Sequence, residues 1–102
     1  MSITIHNVKG SSKISEDPPF PYSSWLKYWE AQADFEIKEG KSYICPGCGK
    51  IITRKNFDGC HVQKVSLVDQ KWYVMPLCDS CNHRTDMFSI EGNLLVPVPS
   101  NL

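Results

Sequence analysis

Apolar and polar positions change their period several times along the chain. Ile3 and Ile5 alternate with polar neighbours in the manner of a very short strand, and Gly10-Ser11-Ser12 breaks the pattern. Pro18, Pro19 and Pro21 close this segment, because proline fixes φ and restricts the residue before it. The arm, residues 1–22, is expected either to dock as an edge strand or to stay mobile. From Ser23 or Ser24, either of which can cap a first turn, the period becomes helical. Trp25, Trp29 and Ala33 recur one helical turn apart and Leu26 widens the stripe, while Lys27, Glu30 and Asp34 fall on other faces. Gly40 suits a left-handed C-terminal cap. The pattern predicts an amphipathic N-terminal helix over about 24–38, within a segment 23–40, packed through its Trp stripe onto the rest of the chain.

After Gly40 the runs shorten. Ser42-Tyr43-Ile44 leads into Cys45-Pro46-Gly47-Cys48-Gly49, Ile51-Ile52-Thr53 reads as a short strand, and Asn56-Phe57-Asp58-Gly59 reads as a turn. Residues 61–65 and 71–75 are β-rich on either side of Asp69-Gln70, which predicts a hairpin ended by Pro76. A short helix is expected from Cys78 to about Phe88, since Asp79 and Ser80 suit a first turn. A turn at Glu91-Gly92-Asn93 and a last strand over 94–98 follow. The expected fold is α+β, one domain over 1–102, with 41–102 as its core.

Composition narrows this picture. A chain of 102 residues, 41% hydrophobic, can bury one modest core but not two. Three Trp, four Tyr and four Phe exclude a disordered chain. No apolar run approaches the ~20 residues of a membrane span, and residues 1–10 lack a signal-peptide core, so a cytoplasmic location without membrane contact is expected. Eleven Lys and Arg balance eleven Asp and Glu, which provides no bulk attraction for polyanions.

The cysteines carry the chemistry. Five is an odd number and argues against a pure disulfide framework. Cys45 and Cys48 form one C-x2-C pair, Cys78 and Cys81 a second, and Cys60 stands alone. Two such pairs suit tetrahedral Zn²⁺, with Pro46-Gly47 and Gly49 supplying the tight turn of a zinc knuckle. Four thiolates leave no open coordination position, so the ion would be structural. Cys60 and His61 are neighbours on an expected strand, point to opposite faces, and are kept outside that site. Cys60 reads as a small buried hydrophobe.

The run Cys45-x2-Cys48, then Gly59-Cys60-His61-Val62, then Met75-Pro76-Leu77-Cys78-x2-Cys81-Asn82 resembles the HNH family of ββα-metal nucleases with a treble-clef zinc site. The resemblance covers about residues 43–90. It implies a treble-clef core of zinc knuckle, β-hairpin and short helix. It further implies that His61 is the general base that deprotonates an attacking water, and that Asn82 helps hold a Mg²⁺ or Mn²⁺ ion against the leaving oxygen. Cys60 departs from the family, which has Asp or His before the base; a soft thiol matches Mg²⁺ poorly. Asp58 lies two residues away, and His83 follows Asn82 round the helix. The resulting expectation is a zinc-binding HNH-like module that binds DNA or a protein and carries a degenerate nuclease site. The alternative is an active divalent-metal-dependent endonuclease cutting DNA phosphodiesters. Candidate cations for DNA are Arg54, Lys55, Lys64, Lys71 and Arg84.

Overall fold

The structure, a computed structural model, describes residues 1–8 and 18–99. Its strands are β1 (Ser2–Asn7), β2 (Ser42–Ile44), β3 (Ile51–Thr53), β4 (Phe57–Lys64), β5 (Trp72–Cys78), β6 (Phe88–Glu91) and β7 (Val96–Pro97). Helix α1 covers Trp25–Ala33 and α2 covers Asp79–Asn82, with 3-10 turns at Arg54–Asn56 and Gly92–Leu94. β2 and β3 form a hairpin of their own, and the other strands make one antiparallel sheet in the order β6-β1-β4-β5-β7. The architecture is a small α+β one.

The β4–β5 ladder, running from Phe57 opposite Cys78 to Gln63 opposite Trp72, organises the sheet. Strand alternation puts Asp58, Cys60 and Val62 on one face with Leu77, Met75 and Ile5. Ile5, Val62, Met75 and Leu77 are 0% exposed and Cys60 1%, so this face is core. Gly59, His61 and Val74 point the other way, under α1. The helix lies so close there that a Cβ on Gly59 would sit 2.5 Å from the Leu26 nitrogen. Trp29 is 3% exposed, and its Nε1 donates to the Leu94 carbonyl at 2.7 Å.

β1 is neither an edge strand nor a mobile arm. It pairs with β4 on one side and β6 on the other, because alternation gives an inner strand the fully buried Ile5 and the partly buried Ile3 on the core side. The expected break at Gly10-Ser11-Ser12 lies outside the described residues. Strands β6 and β7 occupy opposite edges of the sheet yet are joined by residues 92–95 alone. Edges four strand spacings apart in a flat sheet are about 19 Å distant, which a link containing a 3-10 turn does not span. The sheet therefore curls.

Both helices are shorter than the sequence predicts. Ser24 caps α1 by accepting the Lys27 N–H at 3.1 Å. The helix stops at Asp34, which adopts φ 55°, and the N–H groups of Asp34 and Phe35 both donate to the Glu30 carbonyl. Phe35 folds back on Trp29, with ring centroids 6.2 Å apart, and Ile37 is buried off the helix axis, its N–H on Glu30 Oε2. Gly40 belongs to a later turn. The stretch expected to be helical from Cys78 to Phe88 makes only the single turn of α2. The Asn7 side-chain amide donates to the Cys81 carbonyl at 2.8 Å and the Arg84 carbonyl at 2.9 Å, taking acceptors that a longer helix would use. Phe88 instead opens β6 opposite Ile5. Two smaller differences concern strand ends: Phe57, Asp58 and Gly59 already belong to β4 rather than to a turn, and the last strand is confined to Val96–Pro97.

Replacing Trp29 by Ala should cost about 3–5 kcal/mol through lost transfer energy and the cavity left behind, measured by denaturant unfolding. Gly59→Ala should cost about 1–3 kcal/mol, because the added methyl meets the α1 backbone rather than a flexible side chain.

Candidate metal centre

Cys45, Cys48, Cys78 and Cys81 converge although they come from different elements. Cys45 follows β2, Cys48 lies in the β2–β3 turn, Cys78 ends β5 and caps α2, and Cys81 lies within α2. Local chemistry sets the turn: Cys45 donates its N–H to the Lys50 carbonyl at 2.8 Å, and Gly49 donates to the Cys45 carbonyl at 2.9 Å. Gly47 has to be a glycine, since a Cβ there would come 2.8 Å from Cys81 Sγ. The four sulfurs lie within 4.8 Å of one another. Cys45 and Cys81 are 3.8 Å apart, and Cys48 and Cys78 are 3.7 Å apart.

Burial pushes the Cys45 thiol up, partly offset by backbone N–H groups that include the one Cys78 donates to its Sγ at 3.4 Å. Burial likewise raises Cys81, with neighbouring thiols adding to it. The exposed Cys48 is lowered to about 7, chiefly by the Lys50 backbone N–H. One easily ionised thiol at the rim and N–H donors aimed at sulfur suit a cluster whose members bind as thiolates. The arrangement can hold a metal ion.

Cys60 is not part of it. It is 1% exposed, its Sγ donates to the Asp58 carbonyl, and burial followed by the Asp58 carboxylate raises its pKa strongly. His61 and Asn82 are not brought together. His61 lies under α1, edge-on to Trp25 with centroids 4.7 Å apart and tilted against Trp72 at 6.0 Å. Asn82 Nδ2 instead reaches Asp58 Oδ2 at 3.4 Å, and Asp58 belongs to the opposite face of β4. His83 is exposed, with Nδ1 2.9 Å from the Asp79 carbonyl oxygen.

The five candidate cations do not share one environment. Arg54 makes a two-pronged pair with Glu30 and bonds the Ile37 carbonyl. Lys64 pairs with Asp69 and lies over the Tyr73 ring. Arg84 holds Asp86 and reaches the Gly47 carbonyl. Lys55 and Lys71 are exposed. Sequence reasoning missed Asn7, whose amide bolts β1 to the end of α2; an asparagine in a short strand gives no sign of that role.

In comparisons with known proteins, no family model, curated protein or solved structure matches the chain. No helix among the described residues is long and apolar enough to cross a membrane.

Burial holds His61 below its ordinary value of 6.5. The unfolded chain therefore takes up this proton first on acidification, so the contribution of the neutral ring is present above about 6.5 and is lost as pH falls through that value toward the folded one. The stability difference between wild type and His61→Phe should accordingly fall between pH ~7.5 and ~5.5, as read by denaturant unfolding. Cysteine titration is common to both proteins and cancels in the difference.

Proposed function

We propose that the chain is a zinc-stabilised module of treble-clef type that binds a protein partner, and that its resemblance to HNH nucleases is one of scaffold. The observation that carries the zinc assignment is the sulfur spacing. A tetrahedron of sulfurs about Zn²⁺ at ~2.3 Å has edges of about 3.8 Å; the Cys45–Cys81 and Cys48–Cys78 pairs measure 3.8 and 3.7 Å, and all four sulfurs lie within 4.8 Å of one another. The order of knuckle hairpin, β4–β5 hairpin and one helical turn, with ligands on the first and last, supports the treble-clef reading. Cys45, Cys48, Cys78 and Cys81 would hold the ion, which supplies cross-linking rather than chemistry.

A binding role is favoured over catalysis by the strand alternation. His61 packs on Trp25 of α1, whereas Asn82 bonds Asp58, which alternation puts on the other face of β4; these separate surroundings support a packing role for His61 over that of a base sharing a cleft with Asn82. The Mg²⁺ or Mn²⁺ of a nuclease would need a further hard ligand where the chain has the sealed thiol of Cys60. A protein partner is favoured over DNA by charge. The chain is formally neutral, four thiolates on Zn²⁺ add two negative charges, and Arg54, Lys64 and Arg84 are engaged by carboxylates.

One Zn²⁺ per chain should copurify, and Cys45→Ser or Cys78→Ser should lose both the ion and the folded structure of residues 42–82. Structural zinc contributes on the order of 10–16 kcal/mol, as much as a whole domain's stability. Elemental analysis that finds no stoichiometric metal in folded protein would refute the assignment. Plasmid and single-stranded DNA should stay intact in Mg²⁺ or Mn²⁺; cleavage that disappears in His61→Ala would establish the nuclease instead.

A further inference from the structure

One of the four clustered cysteines differs from the rest in its surroundings. Cys45 and Cys81 are 1% exposed and Cys78 4%, whereas Cys48 is exposed. The difference follows from the fold. Cys78 ends β5 and Cys81 lies within α2, but Cys48 sits in the β2–β3 turn, followed by Gly49, Lys50 and Ile51, which are exposed as well. Gly49 takes φ 79°, and a Cβ built on it would meet nothing within 4 Å, so the outer half of the turn has room to adjust. A reagent dissolved in water therefore reaches the cluster at Cys48.

Behind Cys48 lies a sheltered sulfur. Cys48 Sγ is 3.7 Å from Cys78 Sγ, which is van der Waals contact. Cys45, its mate in the C-x2-C pair, is held on the inner side: its Sγ accepts the Cys78 N–H at 3.4 Å and touches Cys81 Sγ at 3.8 Å. The fifth thiol, Cys60, is sealed in the core on β4 and donates to the Asp58 carbonyl. An exposed sulfur in contact with a sheltered one is the arrangement of an attacked and a resolving cysteine. Joining them requires the 3.7 Å separation to shorten to ~2.05 Å, which the turn between Gly47 and Gly49 can accommodate from the Cys48 side.

We propose that Cys48 is a site of oxidation by hydrogen peroxide, and that Cys78 resolves the product as a disulfide. In the first step the Cys48 thiolate attacks one peroxide oxygen. An S–O bond forms, the O–O bond breaks, and the other oxygen leaves as hydroxide, so Cys48 becomes a sulfenic acid. In the second step the Cys78 thiolate attacks the Cys48 sulfur, the S–S bond forms, and the S–O bond breaks to release a second hydroxide. Two sulfurs have then lost two electrons in all, and one peroxide has gained them. The new bond joins the knuckle turn to the end of β5, 30 residues away, so these elements stay tied. Only Cys45 and Cys81 remain as thiolates, half the set that a tetrahedral Zn²⁺ needs. Oxidation thus replaces one cross-link by another and releases the ion. That consequence rests on the zinc reading; the pairing of the sulfurs does not.

The test treats the full chain with one equivalent of hydrogen peroxide after its zinc content has been measured. The five free thiols, counted in denaturant with a chelator present, should fall to three, since one peroxide consumes two. Peptide mapping by mass spectrometry should find Cys48 joined to Cys78, and bound zinc should reach a chromogenic chelator in step with thiol loss. A phosphine reductant should restore the thiols. Limiting iodoacetamide on the untreated protein should label Cys48 on the order of tenfold more than any other cysteine. Cys48→Ser itself removes a member of the cluster, so the mapping on wild type decides, with Cys60→Ala expected to form the same bond. A disulfide between Cys45 and Cys48, a disulfide to Cys60, a Cys48 sulfinic acid without a disulfide, or label spread evenly over the cluster would each overturn the proposal. Metal-free protein that still forms the Cys48–Cys78 bond would refute the zinc reading alone. Zinc-loaded protein whose five thiols survive the peroxide would refute this proposal alone.

Discussion

Cys78 is at once the last residue of β5, the N-cap of α2, the partner of Phe57 across the ladder and a member of the sulfur cluster. The convergence of four thiols at that junction is the constraint on which its surroundings depend. Among the described residues β2 and β3 pair only with each other, and α2 is a single turn. Neither element is long enough to persist alone in water. Burial and mutual proximity both oppose ionisation of the buried sulfurs, and a divalent cation offsets both at a stroke. A core of this size leaves little margin, so a cross-link there has effects well beyond its immediate neighbours.

What can be read from the chain is what is decided locally. The C-x2-C spacing and the glycines between and after the knuckle cysteines prescribe a turn by themselves, and the four cysteines do cluster. The hairpin around Asp69 is similarly prescribed by turn chemistry, although Asp69 acts through its carboxylate on Lys71 and Tyr73 rather than as a central turn residue alone. What depends on distant partners is not legible. Nothing in Ser2–Asn7 says that Asn7 will take two carbonyls from the far side of α2 and end the helix there. The stop of α1 is equally tertiary: the periodicity continues past Ala33, but burying Ile37 and returning Phe35 to Trp29 requires the chain to leave the helix at Asp34. The surroundings of His61 and Asn82 are not legible for a simpler reason. A motif in one dimension cannot say which face of β4 a helix will choose, and α1 takes the face of His61 while α2 takes that of Asp58.

Gly59 is the hinge of this division of labour. Without a side chain it lets α1 approach the backbone of β4, and that approach brings Trp25 onto His61. The ring thereby packs against Trp25 and Trp72, and burial lowers its pKa, in a setting suited to packing. On the reverse face, Cys60 and Val62 complete the apolar layer with Met75 and Ile5. A single strand thus serves two unlike neighbourhoods, and its residue types follow the neighbours.

The inner position of β1 has a bearing on the order in which the molecule is made. The Met1 ammonium meets Glu91 across 90 residues of sequence, and β1 lies between β4 and β6. During synthesis β1 is therefore without one of its two neighbours until β6 has been made. The stretch 42–82, by contrast, contains the knuckle, the long hairpin and all four clustered thiols, and its pairings close over short loops. Loop-closure entropy accordingly favours assembly from the middle outward, with β1 among the last strands to complete its pairing.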